Sequence, residues 1–348
     1  MKRLNRPNVF NNGSRHEQLS TNNNHLMQLT IIIPALNEEK TIGDVIRAIP
    51  GDIPGIDEQE VLLVDDGSSD RTVELAERAG AEVVSHPENL GVGAAFNTGL
   101  EEALERGADI IVNMDADGQF NPDDIPGLIR PILEQDYGFV TCTRFGNPDY
   151  EPDMPGVKLW GNAMMCRLIN WIIRGGTFTD VSCGFRAYSR EAALRLTLFG
   201  KFTYTQETFI DLASKDVRMT EVPLRVKGER EHGESRIASN LWRYGTRAGI
   251  IILRAMRDTR PLTFFGSIGL AVFLLGAICG LFVVGYWAVT GGTSGVQSVL
   301  FGSATFLIVG FLLGVLALVA DMLGRVKQIS DEALYLERKR SLDNNGNH

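Results

Sequence analysis

The sequence predicts an α/β fold with a mostly parallel sheet and helices on both faces, followed by a membrane-spanning hairpin. Two observations lead to this prediction. Short apolar runs alternate with segments of helical periodicity through the first two thirds of the chain, and two long uncharged stretches lie near its C-terminus. Such alternation is typical of a parallel sheet, because parallel strands are joined by crossover helices.

The individual elements follow from the spacing of the apolar residues. Residues 29–34 predict a first buried strand, and Ile42, Val45 and Ile46 recur behind it at helical spacing. A second strand then runs into the acidic turn at 65–70 and a second helix. This second strand is at 61–64, and we predict further strands at 81–84, 110–114, 139–143, 183–188 and 219–226, and further helices at 94–106 and 161–173.

The composition excludes some classes of function. The chain has 348 residues, enough for one catalytic-sized domain and a smaller part, and its formal net charge is -9. This acidity argues against nucleic acid as a partner, which usually requires a basic face. Residues 1–27 are polar and rich in asparagine, so we expect a disordered N-terminal lead there.

Two transmembrane helices are predicted within a hairpin at 261–321. No residue carries a charge from 262 to 289 or from 296 to 320, and each run exceeds the roughly 20 residues that cross a bilayer. The alternative is a buried hairpin of a soluble protein, whose helices seldom stay uncharged for this length. Arg325 and Lys327 follow the second run, arginines precede the first, and the connecting loop has no basic residue. The positive-inside rule therefore places both termini and the folded domain in the cytoplasm.

The segment 236–260, just before the hairpin, predicts an amphipathic juxtamembrane helix. Its arginines share one helical stripe roughly 80° wide at ~100° per residue. The pattern is typical of a helix in the membrane interface, and a solvated basic face is the alternative. After the hairpin we expect a cytoplasmic C-terminal tail at 322–348. The arginines of the stripe are Arg236, Arg243, Arg247, Arg254 and Arg257.

An acidic pair, Asp115 and Asp117, directly follows the strand predicted at 110–114. Open α/β sheets bind ligands at the carboxyl ends of their strands. Magnesium binds in such places through one or two carboxylates together with the phosphate oxygens of a substrate. The pair therefore suggests a metal-held nucleotide diphosphate, whereas taken alone such a pair is more often a solvated acidic turn.

Three motifs occur in a characteristic order: Ile-Pro-Ala-Leu-Asn-Glu-Glu at 33–39, Val-Asp-Asp-Gly-Ser-Ser-Asp-Arg-Thr at 64–72 and Asp-Ala-Asp-Gly-Gln at 115–119. With them the chain resembles family-2 glycosyltransferases, which have the Rossmann-like GT-A fold. The resemblance implies such a domain at 28–235. Further motifs at 143–144, 180–186 and 230–236 narrow it to dolichyl-phosphate mannose synthases and bacterial polyprenyl-phosphate glucosyltransferases.

The resemblance implies a nucleotide sugar donor and Mg²⁺ or Mn²⁺ as cofactor, with Asp115, Asp117 and Gln119 as metal ligands. Carboxylates suit a nucleoside, because ribose hydroxyls and base N–H groups need acceptors. For Glu38, capping of a helix is the alternative. The residues implied in donor binding are Pro34, Leu36, Glu38, Asp65, Asp66, Asp115, Ala116, Asp117 and Arg230.

The resemblance implies a polyprenyl phosphate, dolichyl or undecaprenyl phosphate, as the lipid acceptor. Arginine forks match phosphate geometry and stay charged. Arg144 and Arg186 would orient the acceptor phosphate, with Lys158 and Ser182 beside them, while Arg230 contacts the donor diphosphate. For any one of these arginines, a surface ion pair is the alternative.

A phosphate oxyanion is already nucleophilic near neutral pH, so the implied reaction needs no general base. We expect one hexose to be transferred with inversion, from GDP-mannose or a UDP-hexose such as UDP-glucose. The residues expected to carry catalysis are Asp117, Gln119, Arg144 and Arg186. Glu207 stands where hydroxyl-acceptor relatives keep a catalytic carboxylate, and here it would contact the sugar or cap a helix.

Two other functions stay open at this point. A glycosyltransferase acting on a lipid hydroxyl would need a base, and a non-catalytic scaffold would bind polyprenyl phosphate without turnover. A short hairpin makes a poor lipid-binding wall, so we also expect a homo-oligomer, a tetramer by analogy with the bacterial relatives.

Overall fold

The computed structural model describes residues 26–150, 156–173, 176–198, 204–227 and 261–345. A mixed sheet forms the centre of the first domain. Its strands are β1 (Gln28–Ala35), β2 (Glu58–Asp65), β3 (Glu82–Ser85), β4 (Ile110–Asn113), β5 (Phe139–Thr143), β6 (Arg186–Ser189) and β7 (Met219–Pro223). Across the sheet they follow the order β3-β2-β1-β4-β6-β5-β7.

The sheet is parallel except around β6. This strand pairs antiparallel with both β4 and β5, whereas the other neighbours run parallel. The predicted mostly parallel sheet is therefore confirmed. The strand expected at 183–188 begins only at Arg186, because the three residues before it form the loop that carries part of the site.

Helices cover both faces, as predicted. They are α1 (Ile42–Arg47), α2 (Thr72–Arg78), α3 (Val92–Glu105), α4 (Ile125–Gln135), α5 (Gly156–Ile172), α6 (Arg190–Arg195) and α7 (Tyr204–Ser214). Successive strand residues point to opposite faces. In β1, Ile32 accordingly packs with Phe96 of α3 in one core, while Ile31 and Ile33 pack with Ile129 of α4 in the other.

Two long apolar helices follow, α8 (Pro261–Thr290) and α9 (Gln297–Asn345). Each is long and apolar enough to cross a membrane, and only 17% and 11% of their most hydrophobic windows are buried in the protein. That exposure differs from the core hairpin of a soluble protein. The helices cross closely, since a Cβ added to Gly310 would lie 2.6 Å from the backbone nitrogen of Phe273.

Helix α9 continues well beyond the predicted span and packs on the first domain. The ring of Tyr335 is buried there, and its hydroxyl donates to Glu191 Oε2 at 2.9 Å. The guanidinium of Arg195 lies 4.2 Å from the centre of that ring, and Arg338 Nη1 donates to the carbonyl of Leu196 at 3.0 Å. The expected C-terminal tail is thus a docked helix through Asn345, whereas segment 236–260 lies outside the described residues.

Candidate active site

Two loops at the carboxyl ends of β1 and β2 are joined by hydrogen bonds. The backbone N–H of Asn37 donates to Ser68 Oγ at 2.9 Å, and that of Ser69 donates back to Asn37 Oδ1 at 2.8 Å. The N–H of Glu38 donates to Thr72 Oγ1 at 2.8 Å. These bonds fix the two loops to each other at the carboxyl-end edge of the sheet. The predicted donor residues on this edge are Pro34, Leu36, Glu38 and Asp65.

Asp66 has a different setting from the one expected. Its Oδ1 accepts from the N–H of Leu90 at 2.9 Å and lies 2.9 Å from His86 Nδ1, while its Oδ2 accepts from the N–H of Gly91 at 2.9 Å. The carboxylate is buried and holds the turn that begins α3. This geometry supports a structural role for Asp66, and its predicted contact with a nucleoside stays a prediction.

The acidic pair after β4 lies on a tightly held turn. Asp117 is 4% exposed, and its Oδ1 accepts from the N–H of Gln119 at 3.1 Å. Below it, the buried Thr41 hydroxyl donates to the carbonyl of Ala116 at 2.7 Å. The backbone of Lys227 both donates to the carbonyl of Gln119 and accepts from its Nε2, at 3.0 and 3.1 Å. The turn is therefore anchored from two directions.

Asp115 lies against the loop that leads into β6. A Cβ added to Gly184 would be 2.8 Å from both carboxylate oxygens of Asp115. Asn113 Nδ2 donates to the carbonyl of Gly184 at 2.7 Å and to the Tyr204 hydroxyl at 3.3 Å. Burial, and then the negative charge of Asp115, raise the pKa of Tyr204. Strand β4, the 180–186 loop and helix α7 thus meet at this carboxylate.

The same loop holds Arg144. Its Nε and Nη2 donate to the two carboxylate oxygens of Asp180 at 2.6 and 3.1 Å, and Oδ1 also accepts from the N–H of Ser182 at 3.0 Å. Asp180 is fully buried, whereas the side chain of Arg144 is 22% exposed. Burial alone would lower the pKa of Arg144, but the hydrogen bond and charge of Asp180 outweigh it and raise the pKa.

Glu221 of β7 supports this loop from the other side. Its carboxylate accepts from the N–H of Thr179 at 2.8 Å and from the Thr179 hydroxyl at 2.9 Å. The hydroxyls of Thr179 and Thr143 are 2.6 Å apart. Burial raises the pKa of Glu221, although the bonds from Thr179 oppose the shift.

Arg186 is fully buried, contrary to the expected role in phosphate binding. Its three guanidinium nitrogens donate to the backbone carbonyls of Cys183, Thr205 and Val181 at 2.7, 2.7 and 3.2 Å. The guanidinium also stacks on the rings of Phe139 and Phe209. With these partners Arg186 ties the 180–186 loop to α7, so the geometry supports a positioning role in place of contact with an acceptor.

Comparisons with known proteins identify the family. A family model described as Glycosyl transferase family 2 matches residues 30–197. The UDP-N-acetylglucosamine–dolichyl-phosphate N-acetylglucosaminyltransferase of Methanococcus voltae is 34% identical over 215 residues, covering 56% of this chain and 84% of the relative. The chain belongs to glycosyltransferase family 2. The undecaprenyl-phosphate mannosyltransferase of Micrococcus luteus is 29% identical over 231 residues, 62% of this chain and 89% of the relative.

A solved structure agrees with this membership. The crystal structure of a mycobacterial protein, 25% identical, gives a TM-score of 0.51 and covers 67% of this chain and 74% of that one. Together with the mostly parallel sheet, the family membership confirms the predicted GT-A fold and the prediction of an enzyme, a glycosyltransferase.

The acidic turn of this glycosyltransferase fits a divalent cation. Within the described ranges, no group of three or more His, Cys, Asp or Glu side chains is arranged to hold a metal ion by itself. Asp115 and Asp117 offer two carboxylates, and Mg²⁺ typically takes only one or two from a protein, with phosphate oxygens and water as its other ligands. The two carboxylates therefore suit a metal ion that binds together with a diphosphate.

Four further predicted residues are placed only in part or lie outside the described residues. Glu207 lies half-buried in the first turns of α7, and the hydroxyl of Ser182 accepts from Gln206 Nε2 at 3.4 Å. Lys158 lies in α5, but its side chain is outside the described part of the chain, as is all of Arg230. Their expected roles stay predictions.

Sequence reasoning assigned no role to several residues that shape this glycosyltransferase site. Thr41 was visible only as a helix start, and nothing in the sequence says that its hydroxyl reaches Ala116. Asp180 and Gly184 lie inside the motif at 180–186. That motif does not indicate that Asp180 contacts Arg144 or that Gly184 contacts Asp115. Glu221 lies in a strand pattern, where a charged residue is ordinarily solvent-facing.

Proposed function

We propose that this glycosyltransferase transfers one sugar from a nucleotide diphosphate sugar to the phosphate of a polyprenyl phosphate at the cytoplasmic face of the membrane. One observation carries the proposal. The 180–186 loop touches Asp115 through Gly184 and holds Arg144 through Asp180. Those two loop positions are four residues apart in the sequence, so their Cα atoms are at most about 14 Å apart. A cation suited to phosphate thus lies near the carboxylates suited to a metal-bound diphosphate.

On the donor side, Asp115 and Asp117 would hold Mg²⁺ or Mn²⁺. Gln119 would add its amide oxygen, because its amide nitrogen already donates to Lys227. When bound, the metal neutralises the diphosphate that leaves with the nucleoside. Asp65 accepts from the N–H of Ser68 at the end of β2, where it would accept from the ribose or base, beside Pro34, Leu36 and Glu38.

On the acceptor side, Arg144 would bind the lipid phosphate, with Ser182 next to it. A phosphate oxygen forms the new bond to the anomeric carbon while the bond from that carbon to the nucleoside diphosphate breaks, which inverts the configuration. No proton has to move, so the protein contributes positioning and charge neutralisation. Asp180 keeps the guanidinium in place, and Arg186 holds the loop.

Names of the relatives support the acceptor class and leave the sugar open. The two relatives named above are described as acting on dolichyl phosphate and undecaprenyl phosphate, and they are named for N-acetylglucosamine and mannose respectively. The lipid phosphate is common to both. We therefore propose the acceptor class from them and test the donor with a panel.

The test uses the full-length protein in phospholipid vesicles with undecaprenyl or dolichyl phosphate and Mg²⁺ or Mn²⁺. Radiolabelled UDP-N-acetylglucosamine, UDP-glucose and GDP-mannose are supplied in turn. We expect organic-phase label from one of them, and release of the label by mild acid, because the product is a glycosyl phosphate. Asp115→Asn should abolish the transfer, whereas Gly127→Ala, on the exposed side of α4, should not.

Two results would count against this function. No transfer from any donor would contradict it outright. Acid-stable label that requires diacylglycerol and is lost in Glu207→Gln would instead support transfer to a lipid hydroxyl.

We also infer that both termini face the cytoplasm and that the chain forms a homo-oligomer, such as a tetramer. The basic residues that flank the two apolar helices support the first point. Labelling of cysteines introduced near each terminus with a membrane-impermeant reagent checks the orientation, and crosslinking in nanodiscs checks the assembly. Detection of monomer alone would contradict the oligomer.

A further inference from the structure

Helix α5 carries an exposed apolar stripe. Trp160, Met164 and Trp171 are 65%, 44% and 48% exposed. Their spacing of four and seven residues places them within about 40° of one another around the helix, and Arg167 lies on the same face. Two tryptophans and a methionine on one solvent-facing side are unusual for the surface of a soluble domain.

The opposite face of α5 is firmly packed. Met165, Cys166 and Ile169 belong to the core. Asn162 Nδ2 and Cys166 Sγ both donate to the carbonyl of Thr179 at 3.1 Å. Asn170 exchanges two hydrogen bonds with the backbone of Phe178, at 2.8 and 3.1 Å. The stripe therefore belongs to a helix that is fixed beside the segment leading to Asp180.

The charge of α5 differs from that of the chain. Its 17 residues include Lys158 and Arg167 but no aspartate or glutamate, although the chain as a whole has 43 acidic and 34 basic residues. Tryptophan prefers the boundary between lipid headgroups and acyl chains, and cations are attracted to headgroup phosphates. Composition, exposure and charge of this face all suit a lipid surface.

We propose that the Trp160–Met164–Trp171 face of α5 inserts into the headgroup region of the membrane. The insertion would turn the neighbouring Arg144 toward the bilayer, so that a lipid phosphate reaches it without leaving the membrane. This consequence rests on the proposed function, but the insertion itself does not. A second copy of the chain is the competing occupant of the stripe.

Fluorescence quenching tests the insertion directly. The chain has four tryptophans, so the variant W171F/W242F/W287F retains Trp160 alone. It is reconstituted at full length in phosphatidylethanolamine–phosphatidylglycerol vesicles whose acyl chains carry bromine near the headgroup. We expect bromolipid to quench Trp160 and aqueous acrylamide to quench it weakly. Strong quenching of Trp160 by acrylamide without quenching by bromolipid would overturn the proposal. Protection of Trp160 from both quenchers, together with crosslinks between copies of a Met164→Cys variant, would overturn it as well.

Measurements of sugar transfer test whether the insertion positions the site for a lipid phosphate. In W160S/M164S/W171S, we expect transfer to a long polyprenyl phosphate in vesicles to fall at least about tenfold, and transfer to a short water-soluble isoprenyl phosphate to change less than about twofold. Leu26→Ser removes an exposed apolar side chain elsewhere and serves as the matched control. Equal loss with both acceptors would overturn the positioning role. Absence of any transfer by the wild type would refute the proposed function, while the quenching experiment would still decide the insertion.

Discussion

Replacing Gly184 by alanine tests whether Asp115 works in the donor site. The new Cβ would lie 2.8 Å from both carboxylate oxygens, whereas ordinary contacts begin near 3.4 Å. The carboxylate must therefore move by about 0.6 Å. Because a misplacement of about 1 Å costs as much as 10²-fold in rate, we expect a loss of about 10-fold to 100-fold in kcat/KM. This range corresponds to about 1.4 to 2.7 kcal/mol of transition-state stabilisation.

The assay measures kcat/KM for the nucleotide sugar over a series of Mn²⁺ concentrations in vesicles. We expect a higher apparent KM for the metal, because its ligand has shifted, and only a modest fall in Tm, because a half-buried carboxylate gives way. Gly127→Ala is the matched control. Nothing lies within 4 Å of its new Cβ, and alanine stabilises a helix by about 1 kcal/mol relative to glycine.

The refuting result is simple to recognise. If Gly184→Ala keeps the full kcat/KM and the same metal dependence as Gly127→Ala, then Asp115 does not hold the metal-bound diphosphate. The proposed donor site would have to be moved away from the junction of β4 with the 180–186 loop.

Three further predictions concern the acceptor side and the hairpin. Asp180→Asn should raise the KM for the lipid acceptor about tenfold, with little change in the donor KM, because an amide cannot accept both hydrogen bonds that hold the Arg144 guanidinium in place; a parallel rise of both KM values would contradict this. The raised pKa of Glu221 means that its stabilising contribution is complete below its ordinary value of 4.5 and is lost as the pH rises through the folded value. The Tm of the wild type relative to Glu221→Gln should therefore increase as the pH is lowered toward 4.5, and a constant difference would refute it. Gly310→Val should separate α8 from α9 and lower the yield of a crosslink between them, whereas Gly302→Val, with nothing within 4 Å of its new Cβ, should leave it unchanged.

Sequence periodicity was sufficient for the strands that build the sheet. The run at 110–114 is buried on both faces, so all of its residues except Asn113 are apolar, and its end is marked by Asp115. The direction of β6 was not predictable in the same way, because an apolar run reads alike in parallel and antiparallel pairing. Only the tertiary register shows that Arg186 pairs with both Asn113 and Thr141.

The sequence predicted which residue types form the site better than it predicted the role of each residue. Arg144 and Arg186 are both arginines in recognised motifs, and charge alone favours phosphate binding for each. Their surroundings separate them. Arg144 forms an ion pair that leaves it partly exposed, whereas the guanidinium of Arg186 donates hydrogen bonds to three backbone carbonyls inside the fold. Burial depends on the whole packing, which a motif does not encode.

The docked end of α9 also fixes the distance between the apolar span and the first domain. One unbroken helix leads from the apolar span to Tyr335, where it is held by Glu191 and Arg195. From Ala320 to Tyr335 the helix rises roughly 22 Å, and each added turn would raise the domain by about 5.4 Å. For the lipid phosphate proposed as acceptor, whose depth in the bilayer is fixed, the length of this helix would set the height of Arg144 and the acidic turn above the membrane.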